Sequence, residues 1–129
     1  MIAIDTNVLV RLLTRDHEAQ FQAAHRLFAD NAIFIADTVV LEAGWVLRHA
    51  YELTPPNICQ ALRSAFGLPR VHLESSTAVV KALSWHENGL DFADALHLAK
   101  SEHRTAFKTF DQALIKRAQA LTTCVVDAP

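Results

Sequence analysis

Short apolar runs alternate with amphipathic stretches along the chain. Ile2-Ala-Ile4 is an apolar run closed by Asp5, and it reads as a buried strand. From Asn7 to Leu13 the residues Val8, Leu9, Leu12 and Leu13 fall on one stripe, which predicts a helix. Asp16 is placed to cap a second helix, in which Phe21, Ala24, Leu27 and Phe28 recur at helical spacing. Ala32 to Ile35 is the next strand, and Asp37 or Thr38 caps a helix running to about Ala50. Thr54 followed by Pro55 and Pro56 opens a further helix, because proline is tolerated in a first turn, and Gly67 ends it.

Val71 to Leu73 reads as a third strand. Ser75 or Ser76 opens a helix bearing Val79, Val80, Leu83 and Trp85, and Asn88-Gly89 stops it. Asp91 begins another helix, to about Glu102. Thr105 to Phe110 and Thr123 to Val126 are strands, separated by a helix from Asp111 to Leu121. Strands alternating with helices, without tight hairpin signals, specify an α/β fold with a mostly parallel sheet covered on both faces. Ligands of such sheets bind beyond the carboxyl ends of the strands. The positions that follow Ile4 and Phe110 are therefore the first places to seek chemistry. Both are aspartate.

Composition narrows the picture. With 129 residues, 51% of them hydrophobic, and only three glycines and four prolines, the chain is expected to form a single domain over residues 1–129. A net charge of −2 excludes a protein that holds nucleic acid by bulk positive charge. Cys59 and Cys124 form no C-x-x-C pair, which suits a reduced compartment. No basic leader precedes the first apolar run, and the most apolar segment, Val39 to Leu47, contains Glu42. A soluble, cytoplasmic protein with no membrane association is expected.

Four acids stand in apolar context. Asp5 ends the first strand, where it can cap the next helix or present a carboxylate at the sheet edge. Glu42 is the one charge between Thr38 and Leu47, with Thr38, Val39, Trp45 and Val46 as same-face neighbours. A glutamate among such neighbours is buried only when paired or metal-bound, and a partly exposed edge position is the alternative. Asp91 and Asp94 share one face near a helix start, Asp91 as its cap and Asp94 with no basic residue expected to pair with it three or four positions away. Asp111 repeats the placement of Asp5. Carboxylates gathered without cationic partners repel, and divalent cations relieve them. An all-oxygen donor set suits Mg²⁺ or Mn²⁺ rather than zinc. The seven histidines are scattered, with His97, one turn after Asp94, the one worth watching. Arg11, Arg15 and Lys108 are the nearby cations, with solvated surface charge as their default role.

The order Ile4-Asp5-Thr6-Asn7, then Glu42, then Asp91-Phe92-Ala93-Asp94, then Thr109-Phe110-Asp111 resembles the PIN-domain ribonucleases, and most closely the VapC-like toxins of bacterial toxin–antitoxin pairs. The resemblance covers nearly the whole chain. It implies a three-layer α/β/α sandwich around a central, mostly parallel sheet of four to five strands. It also implies that Asp5, Glu42, Asp94 and Asp111 are the metal-binding catalytic quartet, supported by Asn7, Asp91 and Thr109. The activity implied is a Mg²⁺- or Mn²⁺-dependent endoribonuclease leaving a 5′-phosphate and a 3′-hydroxyl. RNA is then the substrate, a cognate antitoxin the partner, and a homodimer the expected assembly.

Two rival functions remain on sequence grounds. An apolar strand ending Asp-x-Asn also resembles the first motif of aspartyl-phosphate phosphatases, but Asp111-Gln112-Ala113 lacks that superfamily's second late acid. A catalytically silent PIN fold that binds RNA or protein is the non-enzyme alternative. Three structural expectations follow. The four acids should converge at the carboxyl edge of the sheet. Val46, Leu47, Ile58, Leu62 and Phe66 give two helices surplus apolar surface for a second subunit. Neutralising Asp5 should relieve repulsion and leave the metal-free protein at least as stable.

Overall fold

The computed structural model describes residues 1–129 as β1(Ile2–Ala3), α1(Thr6–Thr14), α2(Glu18–Asp30), β2(Ile33–Ile35), α3(Asp37–His49), α4(Pro55–Phe66), β3(Val71–Leu73), α5(Ser76–Glu87), α6(Phe92–Ser101), β4(Phe107–Lys108), α7(Gln112–Ala118) and β5(Val126–Asp127). These elements divide between two compact units, Met1–Ser76 and Thr77–Pro129. No helix is long and apolar enough to cross a membrane.

In the first unit, three strands pair in parallel in the order β1-β2-β3, with Ile2 opposite Ile33 and Ile35 opposite Leu73. As the edge of this sheet, β1 is less buried than its composition implies. Ile2 is 39% exposed, and of the apolar run only Ile4 enters the core. Leu9, Ile33, Ile35, Leu47, Ile58 and Leu62 form the unit's fully buried interior. Each such side chain contributes roughly 1.5–3 kcal/mol by leaving water. Leu47, Ile58 and Leu62 are thus spent inside the unit, where α3 packs on α4, and are not surplus surface for a second subunit.

Caps explain most boundaries of this unit. The Asp5 carboxylate accepts from Val8 N at 3.1 Å and starts α1. Thr54 starts α4 by accepting from Asn57 N, with proline in the first turn, and Gly67 closes it. Two expected caps are corrected. Asp16 does not cap α2; its carboxylate takes the Tyr51 hydroxyl at 2.6 Å and the Thr14 hydroxyl at 2.9 Å, and His17 Nδ1 caps α2 through Gln20 N. Nor does Asp37 or Thr38 cap α3. Ala36 is the cap residue, Glu74 accepts from Asp37 N at 2.9 Å, and Ser75 donates to the buried Asp37 carboxylate.

In the second unit, β4 and β5 pair in parallel, Phe107 opposite Val126 and Lys108 opposite Asp127. The strands therefore form a three-stranded and a two-stranded parallel sheet rather than one sheet of four to five. β1, β4 and β5 are only two residues long, so each of their ladders ends after two pairs. Val79, Leu83, Ala95, Leu98 and Ala118 are buried here. The largely buried Glu102 carboxylate ties α5 to the chain after α7, accepting from Lys81 Nζ and, at 2.6 Å, from the Thr122 hydroxyl.

Candidate functional site

The second unit brings three of the candidate acids into one electrostatic neighbourhood. Asp91 caps α6 by accepting from Asp94 N at 3.1 Å, and Asp111 caps α7 by accepting from Leu114 N at the same distance. Each bond uses one carboxylate oxygen and fixes the side chain at the positive end of its helix. Thr109 supports Asp111 from the other side, its hydroxyl accepting from Asp111 N at 3.1 Å. Asp94 is half-buried one turn into α6. Burial pushes its carboxyl above the ordinary aspartate value, and the negative charges of Asp91 and Asp111 push it further. His97 at i+3 opposes this, which corrects the expectation that Asp94 has no basic neighbour at that spacing.

The turn that launches α6 is built by residues the sequence pattern did not single out. His86 is buried, its Nδ1 2.7 Å from the Leu90 carbonyl and its ring packed against Phe92. Arg117 reaches across from α7 to donate to the Gly89 carbonyl. Gly89 has φ +106°, and a Cβ there would lie 2.7 Å from the Arg117 guanidinium. Only glycine meets both demands without strain. Asn88-Gly89 signalled the turn, but nothing local announces Arg117, which lies 28 residues away.

The first unit holds Asp5, Asn7 and Glu42. Asp5 is exposed, with one oxygen committed to the α1 cap, and Asn7 is exposed in the first turn of α1. Glu42 is exposed on α3, and this corrects the reading of an apolar setting. Thr38, Glu42 and Trp45 lie on the outward face, whereas Val40, Ala43 and Leu47 point into the core. The nearby cations are engaged as surface charges. Arg11 bonds Gln20, Asp16 and Tyr51; Arg15 pairs with Glu18; and Lys108 pairs with Asp127 at 2.6 Å. Within neither unit do three His, Cys, Asp or Glu side chains gather as a ready metal cage. The candidate acids offer carboxylate oxygen alone, a donor type that suits a hard divalent cation.

A model of the family described as PIN domain matches residues 2–120. The chain belongs to the PIN-domain family. This PIN-domain chain is also 34% identical over 124 residues to Ribonuclease VapC23 of Mycobacterium tuberculosis, in strains CDC 1551 / Oshkosh and ATCC 25618 / H37Rv alike. Each match covers 88% of this chain and 95% of the relative. No solved structure matches the PIN-domain chain significantly. The α/β class and the parallel strands agree with the family.

Proposed function

We propose that this chain is a divalent-metal-dependent endoribonuclease acting as the toxin of a toxin–antitoxin pair. Its relatives are named as ribonucleases of the VapC kind, and the family match runs through both units, which supports one nuclease domain. The observation that carries the reading is the family match over residues 2–120, a span that includes all four proposed acids. Asp5, Glu42, Asp94 and Asp111 are the proposed metal-binding acids, with Asn7, Asp91 and Thr109 in support. Mg²⁺ or Mn²⁺ held there supplies Lewis acidity toward the phosphodiester and its attacking water.

The chain's own residues set the geometry. Asp111 keeps one carboxylate oxygen on Leu114 N and has the other to give to a cation, and the Thr109 hydroxyl anchors the Asp111 backbone N. Asp91 does the same for α6 and carries Asp94 with it. Asp94, crowded by like charge, gains most from a cation. With a net charge of −2 the protein does not attract RNA by bulk charge, and cations held by these acids would add to whatever other contacts bind the RNA. A cognate antitoxin, a second copy of the chain and a cytoplasmic location complete the proposal on family grounds.

The deciding experiment incubates a single-stranded RNA with the protein in EDTA, in Mg²⁺ and in Mn²⁺, beside an Asp94→Asn variant. Cleavage confined to the metal-containing parent reactions is expected. Cleavage in EDTA, or undiminished cleavage by Asp94→Asn, would overturn the reading.

A further inference from the structure

The chain holds seven Phe, two Trp and one Tyr, and of these only Trp45 and Phe110 are exposed. Trp45 is 62% and Phe110 is 82% exposed. An isolated exposed apolar residue is ordinary on a protein surface. The coincidence is their placement. Trp45 lies three residues after Glu42 on the outward face of α3, and Phe110 immediately precedes Asp111. Both exposed aromatics therefore adjoin a carboxylate of the proposed metal-binding set, one in each unit.

Neither ring is on a loose segment. Trp45 sits mid-helix, with the His49 ring 4.8 Å away one turn further on. Phe110 is bracketed by anchored neighbours: Thr109 N donates to the Asp127 carbonyl at 3.0 Å, Asp111 N to the Thr109 hydroxyl, and Leu114 N to the Asp111 carboxylate. The backbone thus fixes an apolar ring in water beside a helix cap. Its hydrophobic area contributes nothing to either unit's core. A flat face presented to solvent from an anchored backbone suits another flat face. Single-stranded nucleic acid offers one per nucleotide, and aromatic stacking binds bases without needing positive charge, which this chain lacks in bulk.

We infer that Trp45 and Phe110 are stacking surfaces for unpaired bases of a single-stranded RNA. This rests on the proposed function only for setting those bases near the reacting phosphate. Stacking restricts the substrate to unpaired RNA, because bases within a duplex have no free face.

The test uses the full chain in EDTA, so that binding is read without cleavage. A single-stranded oligoribonucleotide carrying 2-aminopurine is titrated with the parent and with Trp45→Ala, Phe110→Ala, Trp45→Leu, Phe110→Leu, Trp45→Phe and Phe110→Trp. Fluorescence of the reporter base reads stacking, and anisotropy of an end label reads affinity. Each alanine variant should weaken binding roughly 5- to 150-fold and diminish the reporter's quenching. The leucine variants should behave like alanine, and the aromatic swaps like the parent. All six should keep the parent's helical signal, since both positions are exposed. Alanine variants that bind like the parent overturn the inference, as does rescue by leucine. It is equally overturned if the alanine substitutions leave RNA binding intact but convert a sedimenting dimer to monomer, which assigns the rings to a second copy of the chain. Failure of the parent to bind Mn²⁺ in a separate titration counts against the metal reading alone and leaves the stacking result standing.

Discussion

The two units differ in one acid. In the first, the carboxylates whose ionisation shifts are welcomed by donors. Asp16 is held below the ordinary range by the hydroxyls of Tyr51 and Thr14 and by Arg11, and Glu18 by Gln22 and Arg15. In the second, Glu102 is likewise held down, against its burial, by Lys81 and Thr122, whereas Asp94 is pushed the other way by burial and by two neighbouring aspartates. Acids that are part of the scaffold find partners, whereas an acid kept for a ligand is left in conflict until the ligand arrives. Asp5 belongs to both descriptions, because its cap makes it structural whatever else it binds.

The largest expected effect tests that contrast directly. Asp94→Asn should reduce metal-dependent RNA cleavage roughly a thousand-fold or more, since a lost ligand removes several kcal/mol of transition-state stabilisation. The same substitution should raise the melting temperature of the metal-free protein, because it removes the repelled charge while keeping the shape. Thermal melts in EDTA beside the cleavage assay read both signs. A variant that loses activity and also melts lower would show that Asp94 is a structural acid like those of the first unit.

Much of this arrangement was legible in the sequence, and the failures share a cause. The starts at Asp5, Thr54, Asp91 and Asp111 were readable because each is made by a side chain bonding three residues ahead. The stop at Gly89 was readable because its backbone demands glycine. What escaped depends on distant residues. Asp16 is claimed by Tyr51, 35 residues on, and Asp37 N by Glu74, 37 residues on. The apolar neighbours of Glu42 misled because residue type does not say which face of a helix turns outward, and Trp45 turns outward with it. The strands were found, but their grouping into two ladders is a matter of long-range pairing.

Gly89→Ala sharpens the comparison at the backbone. Positive φ is tolerated at Arg15 and Glu52 in the first unit, near +53° and +55°, where non-glycine residues fit. At +106° Gly89 lies outside that basin, and an added Cβ would displace the Arg117 guanidinium. Alanine there should cost about 1–3 kcal/mol, read by urea unfolding. Because the turn carries Asp91, cleavage should fall with it. A stability change under about 0.5 kcal/mol would mean that the turn rearranges freely and that the second unit positions its acids by other means.

Asp5→Ala should act oppositely to Asp94→Asn on stability. The cap on Val8 N corrects the expectation that neutralising Asp5 is free or stabilising, and its loss should cost about 1 kcal/mol in EDTA. Cleavage should still be abolished under the proposed function. Asp5→Asn separates the roles, since asparagine caps a helix almost as well yet is a poor ligand for a hard cation. It should restore stability without restoring activity. Recovery of both would leave Asp5 a cap and nothing more.

The smallest effect is the pH dependence of metal-free stability, and it carries the contrast in its sign. Asp94 binds its proton more tightly in the folded state than its ordinary value of 3.8 would give. As pH rises from that value through the folded one, the unfolded chain has already released the proton, so stability declines and then levels off. The advantage of Asp94→Asn over the parent should therefore be absent below pH 3.8 and grow to a plateau above the folded value. Asp16 in the first unit has the reverse linkage. Its folded value lies below 3.8, so what it contributes is present above 3.8 and is lost as pH falls through the folded value. Asp16→Asn should match the parent in strong acid and fall below it toward neutral pH. Melting curves in EDTA from about pH 2.5 to about pH 7, which bracket the ordinary carboxylate values, give the two difference profiles. Profiles of the same sign would erase the distinction between scaffold acids and ligand acids.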